Sequence, residues 1–271
     1  MGKIIKRTLI QLLTLFRSFG FDIVVFLTAL RGIPFYLRDY FTLKKQKGSD
    51  TTFRFGQNYP ILGDRFSEAG TMSGPYFHQD LFVARKIFVN NPKRHIDIGS
   101  RTDGFVAHVA VFRKIEIIDI REQTNKVTNI EFRKADLMQL PDDLMNACDS
   151  ISSLHAIEHF GLGRYGDPVD YYGYSKAINN ITRILQAGGT FYFSVPIGPQ
   201  RIEFNAHRVF SVRYLFDLFK DNFILNSFSF VDDKGVFFEN AQLTQIEIER
   251  NYGCHYGCGI FELIKKADTI S

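Results

Sequence analysis

The stretch 95–120 constrains this chain more than any other. It reads His95-Ile96-Asp97-Ile98-Gly99-Ser100, then Phe105, Val106, Val109 and Phe112 on a helical period, then the apolar run 115–120 with Asp119 near its end. A short buried strand, a glycine turn, a helix and a second buried strand follow one another in about 25 residues, near the least a β-α-β unit requires. Downstream, 130–132, 149–154 and 190–195 read as further strands. Ala177, Ile178, Ile181, Ile184 and Leu185 make a helical stripe before Gly188 and Gly189. Upstream, 78–90 reads as a helix stopped by Asn90, Asn91 and Pro92. Val212, Leu215, Phe216 and Phe219 make another helix, and the aromatic runs 223–231 and 258–264 can pair as closing antiparallel strands. Alternating strands and helices predict an α/β domain: a mainly parallel seven-stranded sheet flanked by helices.

In such a sheet, ligands sit beyond the carboxyl ends of the strands. After the first strand, Gly99 permits close backbone approach, and Gly104 eases the turn into a helix with free N–H groups. The loop is not the G-x-G-x-x-G of a dinucleotide site, because Arg101 stands where the second glycine belongs. Asp97 would repel a pyrophosphate but can accept from the ammonium of an amino acid. That favours S-adenosylmethionine over a dinucleotide. Asp119, 22 residues after Asp97, is placed to accept both hydroxyls of a ribose, and Asp136 to accept from an adenine amino group. A lone Asp at a strand end more often caps a helix or forms a turn. Their order and spacing together with the glycine loop favour the joint reading.

The fourth strand runs into His155-Ala156-Ile157-Glu158-His159, followed by the glycine-rich 161–168, which reads as a mobile active-site loop. Base or positioning roles for the histidines with Glu158, structural hydrogen bonding, and metal ligation all remain open, the first favoured because imidazole titrates near neutrality. His207 is a second candidate base, with an exposed loop histidine as its plain alternative. Tyr76, Tyr165 and Tyr171 could stack on a sugar face.

Residues 4–40 are apolar, but Arg7, Arg17, Asp22, Arg31 and Arg38 interrupt them before any run reaches the ~20 residues of a bilayer span. A secretory signal also matches poorly, since no clear small-residue cleavage site follows. An amphipathic helical extension over 1–47 therefore precedes a domain over 48–271, the polar stretch 44–50 marking the junction. The extension either packs on protein, a second subunit included, or lies in a membrane interface. Basic and acidic residues number 33 and 29 and are interleaved, so nucleic acid is not implied. Cys148, Cys254 and Cys258 are too few for a disulfide framework and suggest a reducing compartment. Cys254 and Cys258 flank His255, yet no second pair completes a zinc site, so no metal is expected.

Hydrophobic-Asp-hydrophobic-Gly, an acid ending the next strand, and Leu154-His155-x-x-Glu158-His159 resemble the Rossmann-like S-adenosylmethionine-dependent methyltransferases, over roughly 77–264. More narrowly, the motifs at 76–80, 96–105 and 155–168 resemble a bacterial family of methyltransferase-like proteins associated with surface-polysaccharide biosynthesis. The resemblance implies a cofactor site at Asp97, Gly99, Ser100, Asp119 and Asp136, to which Arg101 adds by position. It implies an acceptor site near His155, Glu158, His159 and Arg164, with Tyr76, His78 and Tyr165 as further substrate-binding candidates. The expectation is O-methylation of a sugar hydroxyl or carbohydrate substituent by a cytoplasmic protein, on the inner face of the membrane if the extension docks there. A non-catalytic scaffold of a glycan-assembly complex is the rival, and a nicotinamide-dependent enzyme a third reading.

Overall fold

The structure, a computed structural model, describes residues 2–139 and 142–267, without the side chains of residues 2–9 and Asp142. Lys3, Lys6 and Arg7 therefore lie outside the described side chains. The chain divides into two compact units, Met1–Thr71 and Met72–Ser271. Residues 48–71 thus group with the helices, whereas the sequence reading placed them with the sheet.

The first unit contains α1 (Gly2–Ser18) and α2 (Ile23–Lys47). Asp22 caps α2 by accepting from the Val24 and Val25 amides, the usual way to satisfy free donors at a helix start. Residues beyond α2 fold back along one of its faces. Gly32 permits this: a Cβ there would lie 2.0 Å from the Leu62 carbonyl oxygen.

The second unit opens with α3 (Pro75–Asn90), whose Pro75 suits a first helical turn and whose Asn91 closes it in the left-handed region. Then come β1 (His95–Ile98), a wide helical turn (Thr102–Val106), α4 (Ala107–Ala110), β2 (Ile115–Asp119), β3 (Ile130–Lys134) and β4 (Cys148–Leu154). They are followed by α5 (Gly173–Ile184), β5 (Leu185–Ile197), the small hairpin β6 (Arg201–Glu203) and β7 (His207–Val209), and α6 (Val212–Phe219). The chain ends with β8 (Phe223–Val231), β9 (Phe237–Phe238), α7 (Gln245–Glu249) and β10 (Gly257–Lys265).

The main sheet has eight strands in the order β3-β2-β1-β4-β5-β10-β8-β9. From β3 to β5 neighbours run parallel, and from β5 onward they are antiparallel. The expected seven strands become eight because β9 adds a two-residue edge pair to β8. Gly188 and Gly189, expected to close a helix, sit inside β5, where the register with β4 shifts between Cys148 and Ser150. β5 presents Phe191 and Phe193 to one apolar layer with α5 and α6, and Tyr192 to the other with α3 and α4. That alternation is the period of two of a strand buried on both faces.

Candidate functional site

The order β2-β1-β4 puts the chain reversal between β1 and β4, where a crevice opens beyond the strands' carboxyl ends. A cleft of about 450 Å³ lies there. Its walls carry Gly99, Arg101, Asp119, Arg121 and Asp136 on the β1–β3 side, and His155, Glu158, His159, Arg164, Tyr165 and His207 on the other, with Tyr76 and Tyr256 at the edge. Its size falls in the range of about 300–1,000 Å³ usual for small-molecule sites.

Gly99 adopts φ +67°, and a Cβ there would stand 3.1 Å from the Ala156 Cβ and 3.9 Å from the Asp119 Oδ2. The left-handed backbone favours glycine here, and a side chain would crowd the β4 end at Ala156. Asp97 and Ser100, expected at the cofactor, are instead buried behind the loop and do not line the cleft. Asp97 accepts from the Ser100 amide at 3.0 Å and from the hydroxyls of Ser100 at 2.6 Å and Ser152 at 2.5 Å. Ser100 in turn accepts from the Leu154 amide at 3.0 Å, so the pair clamps the β1 loop to β4. Burial pushes the Asp97 carboxyl up to about 6 against those hydrogen bonds. Beside it, His95 is held neutral by burial, its imidazole pushed down to about 3, while its two nitrogens meet Ser150 and Ser152.

Asp119 faces the cleft, but both its oxygens are held by Arg121. Oδ1 accepts from the Arg121 amide at 2.7 Å and from Nε at 3.0 Å, and Oδ2 accepts from Nη2 at 2.7 Å. The guanidinium also lies 4.3 Å from the Tyr165 ring centre. Asp136 accepts from the Met138 amide at 2.9 Å and lines the cleft. Arg101 lines it too, paired with Asp103 at 2.9 Å and 5.1 Å from the Tyr76 ring centre. His78 does not. Two residues beyond Tyr76 on α3, it points to nearly the opposite side of the helix and stacks on Phe237 at 5.5 Å.

His155 stands at the end of β4 with φ +51°, and its Nδ1 meets the Glu158 Oε1 at 3.0 Å. Burial opposes its charge, but the neighbouring Cys258 and Glu158 side chains outweigh burial and raise its pKa well above the ordinary value. Glu158 itself is held low despite burial, chiefly by the charge and hydrogen bond of His155 beside it. His159 behaves oppositely: burial lowers its pKa, so it is a neutral imidazole. Its Nδ1 lies 2.6 Å from the Ala206 carbonyl, which identifies the Nδ1–H tautomer and leaves the lone pair on Nε2. The sequence reading treated the two histidines as interchangeable; their surroundings separate them. His207, half-buried and lowered by burial, lies 6.4 Å from His159 between ring centres. Nε2 of His155 and Oε2 of Glu158 are buried without a hydrogen-bond partner.

Residues 161–168, expected as a mobile loop, form a tied turn. Asp167 accepts from the Gly161, Gly163 and Tyr165 amides at 2.8, 3.3 and 3.2 Å. This holds Tyr165 and Arg164 toward the cleft, where Arg164 donates to the Ala206 carbonyl at 2.9 Å. Buried Arg208, not singled out in the sequence, donates to the Phe160 carbonyl at 2.6 Å and the Tyr171 carbonyl at 3.1 Å, pinning this loop to β7. Arg121 was overlooked as well, since an arginine after a strand end carries no signal in sequence alone. Among the described residues no group of three or more His, Cys, Asp or Glu side chains is placed to hold a metal ion.

A family model described as "Caenorhabditis protein of unknown function, DUF268" matches residues 89–253, more than half of the chain. That description differs from the bacterial polysaccharide family expected from the motifs. A search of curated protein sequences found no match. Among solved structures, that of the [4+2]-cyclase SpnF superposes with a TM-score of 0.50 and 16% identity, covering 70% of this chain and 82% of that one. The 1,6-didemethyltoxoflavin-N1-methyltransferase of Burkholderia thailandensis, solved with S-adenosylhomocysteine, gives 0.49 and 13%, covering 87% and 89%. The N-methyltransferase NodS of Bradyrhizobium japonicum, also with S-adenosylhomocysteine, gives 0.47 and 12%, covering 72% and 89%. At these identities the SpnF likeness shows a shared fold.

Proposed function

The chain belongs to the DUF268 family, and we propose that it is an S-adenosylmethionine-dependent methyltransferase acting on a carbohydrate oxygen. One observation carries the reading: two carboxylates, Asp119 and Asp136, face a single cleft from the ends of adjacent strands, beside a left-handed glycine whose Cβ would stand 3.1 Å from Ala156. Asp119 suits a ribose diol, Asp136 an adenine amino group, and the backbone at Gly99 the close approach of a methionine tail. The bound cofactor would supply an electrophilic methyl group.

The chain's own residues then have to orient an acceptor and take its proton. His159 is the base by this reading, because its Nε2 lone pair is free at neutral pH and the Ala206 carbonyl fixes its ring. His155, whose Nδ1 meets the Glu158 Oε1 at 3.0 Å and whose pKa is raised, is less suited to act as the base. Tyr76, Tyr165 and Tyr256 offer ring faces for a sugar, and Arg164 a donor beside them. A role in bacterial surface-glycan assembly rests on the resemblance of the three motifs alone.

A second reading, the non-catalytic scaffold, is favoured by the Asp119–Arg121 contact, which engages both oxygens and competes with a ribose for them. Calorimetric titration with S-adenosylmethionine, S-adenosylhomocysteine and NAD separates the two. Saturable binding of the first two but not NAD supports the methyltransferase. Absence of all three supports the scaffold, and NAD binding alone would refute both.

A further inference from the structure

The first unit carries a surface that the cleft does not explain. Nine basic and two acidic residues stand in the first 47, whereas the other 224 hold 24 basic and 27 acidic. The small overall charge thus hides a strongly cationic extension on a slightly anionic remainder.

Helix α2 has two unlike faces. Thr28, Ala29, Gly32, Phe35, Tyr36 and Tyr40, three to four residues apart, are buried or half-buried. Leu62 passes over Gly32, and the Phe66 and Phe55 rings lie 5.9 Å from Phe35 and 5.6 Å from Tyr40. The opposite face carries Phe26, Leu27, Leu30, Ile33, Leu37 and Phe41 at the same spacing, all exposed. Arg31, Arg38 and Lys45 flank that stripe on the helical wheel. The apolar row continues through the corner before α2 with Phe16 and Phe19, the latter 82% exposed. A contiguous apolar surface of this extent has to be covered by something.

We infer that this face lies on an anionic lipid surface, its apolar stripe in the headgroup–acyl boundary and its flanking basic residues among the phosphates. The charge decides the occupant. A second copy placed face to face would bring two such cationic extensions together and repel. An anionic bilayer meets the apolar and the basic rows at once. Among the described residues no single helix is long and apolar enough to cross a membrane; the segments Ile10–Ser18 and Ile23–Lys47 reach that length and hydropathy only together, across a bend of 73°. The contact is a surface contact because Arg17, Asp22, Arg31 and Arg38 interrupt the apolar row along its length. It goes beyond the methyltransferase reading and does not depend on it.

The test is flotation of the full chain with vesicles of phosphatidylcholine alone or with one third phosphatidylglycerol, at about 0.1 M and about 1 M salt. The expected result is flotation on the anionic vesicles at low salt, lost at high salt. Lys44→Glu with Lys45→Glu, both exposed, weakens partitioning by at least about 25-fold, since each basic residue at such a surface contributes about fivefold. Lys44→Arg with Lys45→Arg keeps it. Leu30→Asn with Leu37→Asn weakens it on every vesicle without changing the circular dichroism spectrum. Equal flotation on neutral vesicles, retention at high salt, or no flotation together with a concentration-dependent dimer would each overturn the inference. S-adenosylhomocysteine titration of the same variants reports separately on the cleft.

Discussion

Replacing Arg121 by alanine tests whether the cleft is occluded by its own arginine. Arg121 holds both oxygens of Asp119 through contacts of 2.7 and 3.0 Å, so a ribose has to compete with it for that carboxylate. The Arg121 side chain is 52% exposed and that of Asp119 14%, so solvent screens much of the attraction. The pair is worth about 1 kcal/mol at most, a factor of about five in affinity. Arg121→Ala should therefore bind S-adenosylhomocysteine about two- to fivefold more tightly than the wild type in calorimetry. Asp119→Asn should weaken it about 10- to 100-fold, the range for losing hydrogen bonds to a charged acceptor. In the Asp119→Asn background, Arg121→Ala should change nothing, because no carboxylate remains to be freed. Weaker binding by Arg121→Ala, or equal tightening in both backgrounds, would refute the competition and make Arg121 a ligand contact instead.

The remaining predictions concern neighbouring groups. His159→Ala should lower turnover about 100-fold or more while leaving the S-adenosylhomocysteine Kd unchanged; a parallel loss of binding would mean a structural role. Because burial lowers the His159 pKa, the rate should hold as pH falls through 6.5 and decline only below it, which a pH–rate profile reads directly. Asp97, raised to about 6 in the folded state, favours folding when protonated, so its contribution fades as pH rises from its unfolded value of 3.8 through 6. Relative to Asp97→Asn, the wild type should lose about 2 kcal/mol of urea stability between pH 4.5 and 7.5, and a constant difference would contradict the shift. Gly99→Ala should cost about 1–2 kcal/mol of stability for its left-handed backbone and also weaken cofactor binding, because the new methyl meets Ala156 at 3.1 Å.

Much of the fold was legible in the sequence because buried parallel strands are nearly continuous apolar runs. The runs at 95–98 and 115–120 appear as β1 and β2 with little change of bounds, and the aromatic runs 223–231 and 258–264 as the antiparallel pair β8 and β10. The glycine pair at 188–189 misled, since a glycine suits a register shift in a strand as well as a helix end. β9 escaped because two residues carry no period. At the site, the positions of Asp119, Asp136, His155 and His159 were readable from the strand ends they follow. The seclusion of Asp97 was not, since it depends on Ser152 across the sheet.

By itself the sequence determined the alternation of strands and helices, the strand-end places of the carboxylates, and the cationic, apolar character of the first 47 residues. These follow from local periodicity and composition. Only the tertiary structure decided which polar groups face the cleft and which brace it, that Arg121 closes over Asp119, that Asp167 ties a glycine loop, and that the pKa of His155 is raised while that of His159 is lowered. The reason is physical: side-chain direction and desolvation are set by groups remote in sequence, as when Cys258 and Glu158 act together on His155.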